Sequence, residues 1–125
     1  MKAELNEITI NGVEYVAKSS IEENATAEKL DGMPYIIART YSAGVFAGYL
    51  KSKDKENTVL VNARRLWYWD GAASLSQLAE EGVKKPENCK FPCEVKEVEL
   101  TNTVERLIVT AAAKKSIESV KIWKM

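Results

Sequence analysis

The chain has 125 residues, 46% hydrophobic and 29% charged, the composition of one globular domain large enough for a core of its own. Eighteen basic side chains balance eighteen acidic ones, which argues against general coating of DNA, because phosphate contacts demand a basic excess. There is no histidine, which removes the commonest general base, the commonest metal ligand and every histidine-dependent triad.

Met1 to Glu7 is polar with no apolar run behind it, so no secretory leader is expected. No stretch approaches the roughly 18 apolar residues of a membrane span, and the expected compartment is the cytoplasm. Residues 1–125 read as a single domain, with a hairpin and loop over 1–33 ahead of a core over 34–125. Ile8 to Val16 alternates β-branched residues around Asn11-Gly12, which predicts a hairpin with a type I′ turn. A short helix over 24–30, stopped by Gly32, is expected next. Pro34 then marks the start of the core.

Tyr35 to Tyr41 predicts the first core strand, with Tyr35, Ile37, Arg39 and Tyr41 on one face. Ser42-Ala43-Gly44 is a turn and Val45 to Lys51 the returning strand, in which Gly48 marks a bulge or a close approach. Asp54 to Asn57 is a charged turn. Thr58 to Trp69 follows as one long strand, or as two with a bend near Asn62. Unbroken, it would set Val59, Val61, Ala63, Arg65, Trp67 and Trp69 on one face and Arg64, Leu66 and Tyr68 on the other. Ser74 with Gln77 makes a capping box for a helix of little more than two turns, stopped by Gly82.

Pro86 and Pro92 bracket a loop holding Cys89 and Phe91. If that loop is extended, Cys89 and Cys93 lie roughly 13 Å apart, too far for a disulfide, and reduced thiols are expected. Two cysteines without histidine cannot complete a structural zinc site, and no cofactor is expected. Glu94 to Leu100 and Val104 to Val109 read as a further strand pair. Thr110 caps a last helix, 111–120, with Ala113, Ile117 and Val120 on one face. Ile122 and Trp123 are expected to tuck back against the body. The fold expected is α+β: a small, mostly antiparallel barrel or curled sheet of SH3-like kind, with a short mid-chain helix and a C-terminal one.

Chemistry concentrates at Arg64-Arg65-Leu66-Trp67-Tyr68-Trp69, which holds two of four arginines and two of three tryptophans. Arginine forks grip phosphate or carboxylate and aromatic rings stack on bases. Arg39 and Tyr41 in the earlier strand, and the helix start near Ser74 and Ser76, extend the candidate ligand-binding set. The plain alternative is a tryptophan-rich core strand flanked by solvated arginines. Catalytic residues are not evident, so binding is favoured over reaction.

Arg39 to Gly48, Asn62 to Trp69 and Gly71 to Ala79 together resemble a family of small tailed-phage proteins that carry a domain of unknown function. The likeness spans about Tyr35 to Trp123 and implies a phage or prophage origin without catalytic residues. By analogy with phage factors that sequester nucleotide signals of bacterial immunity, the expected function is non-enzymatic binding of a small anionic nucleotide. Arg39, Arg64 and Arg65 would hold phosphates, and Tyr41, Trp67, Tyr68 and Trp69 would stack bases. Two other readings use the same residues: a protein–protein module, with exposed strand edges favouring a homo-oligomer, and a small barrel for single-stranded nucleic acid.

Overall fold

The structure, a computed structural model, describes residues 25–124, so the hairpin expected over 8–16 lies outside the described residues. Five strands form one sheet: β1 (Tyr35–Thr40), β2 (Val45–Asp54), β3 (Asn57–Arg65), β4 (Glu94–Leu100) and β5 (Thr103–Ile108). Two helices accompany them, α1 (Leu75–Glu81) and α2 (Ala111–Ser119), with a 3-10 turn at Pro86–Asn88. The strand order is β4-β3-β2-β1-β5 and every pairing is antiparallel. The fold is α+β, as composition and turn spacing lead one to expect.

The expected pairing of 94–100 with 104–109 is not what forms. β4 pairs with β3 and β5 with β1, so these consecutive strands occupy opposite edges of the sheet. Only Thr101 and Asn102 join them, so the edges must converge at that point and the sheet must curl. It does not close into a barrel, since no β4–β5 ladder is present among the described residues. Instead the β2–β3 tip folds onto β5. The Thr103 N–H donates to the Glu56 carbonyl at 2.9 Å, Arg106 donates to the Lys55 and Asn57 carbonyls at 2.7 and 3.1 Å, and the Thr58 and Thr103 hydroxyls bond at 2.9 Å.

A bulge in β3 produces much of that bend. The β2–β3 register runs from Tyr49↔Val61 to Ala47↔Arg64, leaving Asn62 and Ala63 opposite Gly48. Asn62 takes a positive φ of 52°, which asparagine tolerates better than most residues. A Cβ on Gly48 would sit 3.0 Å from the Ala63 Cα, so any larger residue would have to push the bulged backbone aside.

The curl gives the sheet two buried faces. Inside it, Ile36, Ala38, Phe46, Leu60, Ala63 and Leu100 form a small core. The outer face carries Tyr35, Ile37 and Ala47, over which the helices lay Leu78, Ala113 and Ile117, with Phe91 and Val120 joining from the loop and the C-terminal turn. Both helices start where the sequence says they should: the Ser74 Oγ accepts the Gln77 N–H at 3.1 Å and the Thr110 Oγ1 accepts the Ala113 N–H at 3.0 Å. Ile122 bridges to Phe91, and the Trp123 N–H donates to the Phe91 carbonyl. The helix expected over 24–30 is absent from 25–30. That stretch is extended, with Thr26 bridging to Thr110 and Leu30 to Met33 across an Asp31-Gly32 turn. Isolated bridges, one to residues 109–111 just past β5 and one within the segment, supply backbone hydrogen bonds that a short, poorly patterned helix would have made.

Candidate functional site

Arg64 and Arg65 are neighbours on β3 and therefore point to opposite faces of the sheet. The bulge decides which goes where. Arg64 faces the helices and is buried, 6% exposed. Its Nε donates to the Pro92 carbonyl at 2.9 Å, Nη1 to Ile117 at 3.0 Å, and Nη2 to Phe91 at 3.1 Å and Val120 at 2.7 Å. The guanidinium also lies 5.4 Å from the Phe91 ring centroid. Burial lowers its proton affinity, while Tyr35, Glu94 and Cys93 nearby oppose that effect. This side chain ties β3 to the 91–92 loop and to the end of α2, and it is not on the surface where a ligand would meet Arg65.

Arg65 faces the inside of the curl at its open end. Its guanidinium stacks 4.4 Å from the Phe46 ring centroid, and Nη1 donates to the Ala43 carbonyl at 2.7 Å. Its other four N–H groups have no partner among the described residues. The Leu66 N–H bonds to the Val45 carbonyl, which places the end of β3 beside the β1–β2 turn. Two aromatic residues flank that turn: Tyr41, 84% exposed, and Trp67, 63% exposed. Tyr41 is held by its N–H to the Asn102 carbonyl.

The remaining candidates are placed elsewhere. Arg39 is engaged by Glu105 in an exposed ion pair of 2.6 Å. Tyr68 is half-exposed and joins its backbone to Lys90 on both sides. Trp69 is partly buried against the helix-side core. Leu66 does share the helix side with Arg64, as alternation predicts. The assignment fails by Trp69, which joins that same side instead of the Arg65 face, because β3 ends at Arg65 and the chain beyond it no longer alternates. At α1, the Ser74 Oγ is occupied by Gln77, whose Oε1 in turn accepts the Ala73 N–H at 2.8 Å. The cap is satisfied internally rather than left open to an anion, and Ser76 is simply exposed.

Both cysteines are free. Cys89 is buried, its Sγ lying between the Asp70 N–H and the Lys85 carbonyl, and burial pushes its thiol pKa up. Among the described residues no group of three or more Cys, Asp or Glu gathers as a metal site, and no helix is long and apolar enough to cross a membrane.

A family model described as Domain of unknown function (DUF6948) matches residues 33–117. The chain belongs to that family. No curated protein and no solved structure matches it. The DUF6948 span begins just before β1 and ends inside α2, so all nine candidate residues fall within it, whereas the Val120 carbonyl that anchors Arg64 falls beyond it.

One group escaped sequence reasoning altogether. Tyr35, Arg64, Cys93, Glu94, Glu118 and Ile122 line a cavity of about 540 Å³ between the start of β4 and the end of α2. They come from β1, β3, β4, α2 and the loops beside them, so no local spacing in the sequence could have grouped them.

Proposed function

We propose that this DUF6948 protein is a non-enzymatic binding module that recognises a protein partner through the open end of its curled sheet. One observation carries the reading: Tyr41 and Trp67 stand exposed at the end of the sheet where the β1–β2 turn lies, and the Arg65 guanidinium is held at that turn by the Ala43 carbonyl and by the Phe46 ring 4.4 Å away. Trp, Tyr and Arg are the residue types that dominate interface hot spots. Phe46 pre-organises the fork, which reduces the ordering cost of an ion pair with a partner carboxylate. A second copy of the chain is the first partner to test, since β4 and β5 are both edge strands. A phage origin, carried by the sequence resemblance, belongs to the same proposal and would make a host or phage protein the next candidate.

The deciding experiment pairs sedimentation with quantitative pull-down. Self-association, or recovery of one stoichiometric partner, should be lost in Trp67→Ala and Arg65→Ala, while both variants keep the wild-type melting temperature. A protein that stays monomeric and recovers no stoichiometric partner, or variants that bind as well as wild type, would overturn the reading.

A small anionic nucleotide is the second reading, favoured by Arg65 donors that have no partner among the described residues and by the exposed Trp67 two residues further on. It would sequester a cyclic oligonucleotide signal, with Arg65 on phosphate and Trp67 or Tyr41 on a base. Against it stand Arg64 and Arg39, which are engaged elsewhere and leave Arg65 alone of the three candidate arginines to meet a phosphate. Calorimetry with cyclic di- and trinucleotides at about 100 μM protein would register even micromolar binding. Silence across that panel removes this reading and leaves the first intact.

A further inference from the structure

We propose that the cavity between β4 and α2 is a second binding site, and that it takes a small zwitterion of the amino-carboxylate class carrying an apolar side chain. It lies on the helix-covered face of the sheet, opposite the face to which Arg65 belongs, and so stands apart from the surface discussed above. Its volume of about 540 Å³ falls within the range of small-molecule sites.

Two polar side chains in its lining are more than nine-tenths buried. Tyr35 is 3% exposed, and its hydroxyl has no hydrogen-bond partner among the described residues. A buried phenol O–H with no protein partner must be received by whatever occupies the cavity, water or a ligand. Arg64 is the other, 6% exposed. Among the described residues its four bonds leave one Nη1 N–H over, and every acceptor is a neutral carbonyl, so its charge has no direct anionic partner there. These two donors suit a carboxylate.

The surrounding charges restrict the ligand further. Glu118 is paired with Lys114 at 2.6 Å, and Lys114 in turn lies 5.3 Å from the Tyr35 ring centroid. Glu94 lines the cavity with no ion-pair partner among the described residues. The positive charges of Arg64 and Lys114 are thus balanced by Glu94 and Glu118. A dianion would meet two carboxylates and a cation would meet two basic groups. A neutral zwitterion meets neither obstacle: its carboxylate faces Arg64 and Tyr35, and its ammonium faces Glu94. Ile117, Val120 and Ile122 offer the apolar wall for its side chain.

Cys93 supplies the readout, because it lines the same cavity and is exposed whereas Cys89 is buried. The rate of Cys93 alkylation by iodoacetamide, resolved by mass spectrometry, would be measured with leucine, 4-methylpentanoate or 3-methylbutylamine added. At about 10 mM, where a millimolar site is nine-tenths filled, leucine should slow the reaction about tenfold and neither analogue should match it. Tyr35→Phe and Glu94→Gln should each abolish that protection without lowering the melting temperature. The proposal is overturned if no amino acid in an apolar panel protects Cys93. It is equally overturned if the acid or the amine alone protects as well as leucine, or if both variants are protected like wild type.

Discussion

Replacing Arg64 by methionine should cost about 3–5 kcal/mol of folding stability, although sequence alone reads the residue as a surface cation. Methionine keeps an unbranched stem that can lie against Phe91, so the loss isolates the guanidinium. Four carbonyls lose a charge-assisted donor. Two of them keep another: the Phe91 carbonyl accepts from the Trp123 N–H, and the Ile117 carbonyl from the Val120 N–H. The Pro92 and Val120 carbonyls have no other donor among the described residues. Each buried acceptor left unsatisfied costs about 1–3 kcal/mol, which sets the scale of the total. Lysine at this position should recover only part of it, because one ammonium cannot span carbonyls held on two sides of a planar fork. Urea unfolding followed by circular dichroism would measure the change, and the melting temperature should fall by roughly 10–20 °C. Arg65→Met provides the control, with a loss expected to stay near 1 kcal/mol. If Arg64→Met loses less than about 1 kcal/mol, or if both variants lose alike, the bracing role assigned to Arg64 is wrong.

The two strand-end tryptophans should separate in the same assay: Trp67→Ala should be near neutral, whereas Trp69→Ala, which packs against the helix-side core, should cost about 2–3 kcal/mol. Equal losses would contradict their placement. Gly48→Ala should destabilise by about 1–3 kcal/mol, because the new methyl meets the Ala63 backbone at 3.0 Å, and an unchanged urea midpoint would mean that the bulge can relax. Alkaline pH should weaken the fold. Burial, with Glu118 and Glu94 adding to it, raises the Tyr35 pKa well above its ordinary value of about 10. For Lys114, burial works against its charge, but the hydrogen bonds to Glu118 and Tyr49 outweigh it and its pKa also rises. Both groups hold a proton in the folded state that the unfolded chain releases, so stability should fall as pH climbs past about 10. Tyr35→Phe should make that fall shallower, and a urea midpoint that stays flat to about pH 11 would refute the assignment.

Local signals carried most of the fold. Ser74 with Gln77 and Thr110 ahead of Ala113 announced both helix starts, because a cap is a contact between residues three apart. Gly48 and Asn62 marked the bend for an equally local reason, a backbone geometry that few other residues accept. What stayed hidden was long-range. Nothing in Glu94 to Ile108 tells that β4 and β5 part to opposite edges, since two alternating runs joined by two residues look like a hairpin. The β4–β5 edges and the cavity beside Tyr35 are products of the curl, and the curl is a property of the whole sheet.

The candidate site shows the same division at the scale of two residues. Alternation says correctly that Arg64 and Arg65 must diverge, but the choice between them rests on one inserted residue. Had β3 run without its bulge, Arg64 would have shared the inward face of Leu60, and Arg65 would have pointed at α2. With Asn62 and Ala63 both opposite Gly48, the parity reverses. Arg64 turns to the helices, where four carbonyls accept from it, and Arg65 turns to the open end, where Phe46 holds it and most of its donors have no partner among the described residues. The aromatic-rich run is thus split between two jobs at Arg65: residues before the strand's end are fixed by the sheet, and those after it leave the ladder. Trp67 stands exposed where the strand has stopped two residues earlier, and the Leu66 N–H to the Val45 carbonyl keeps its backbone close to the β1–β2 turn.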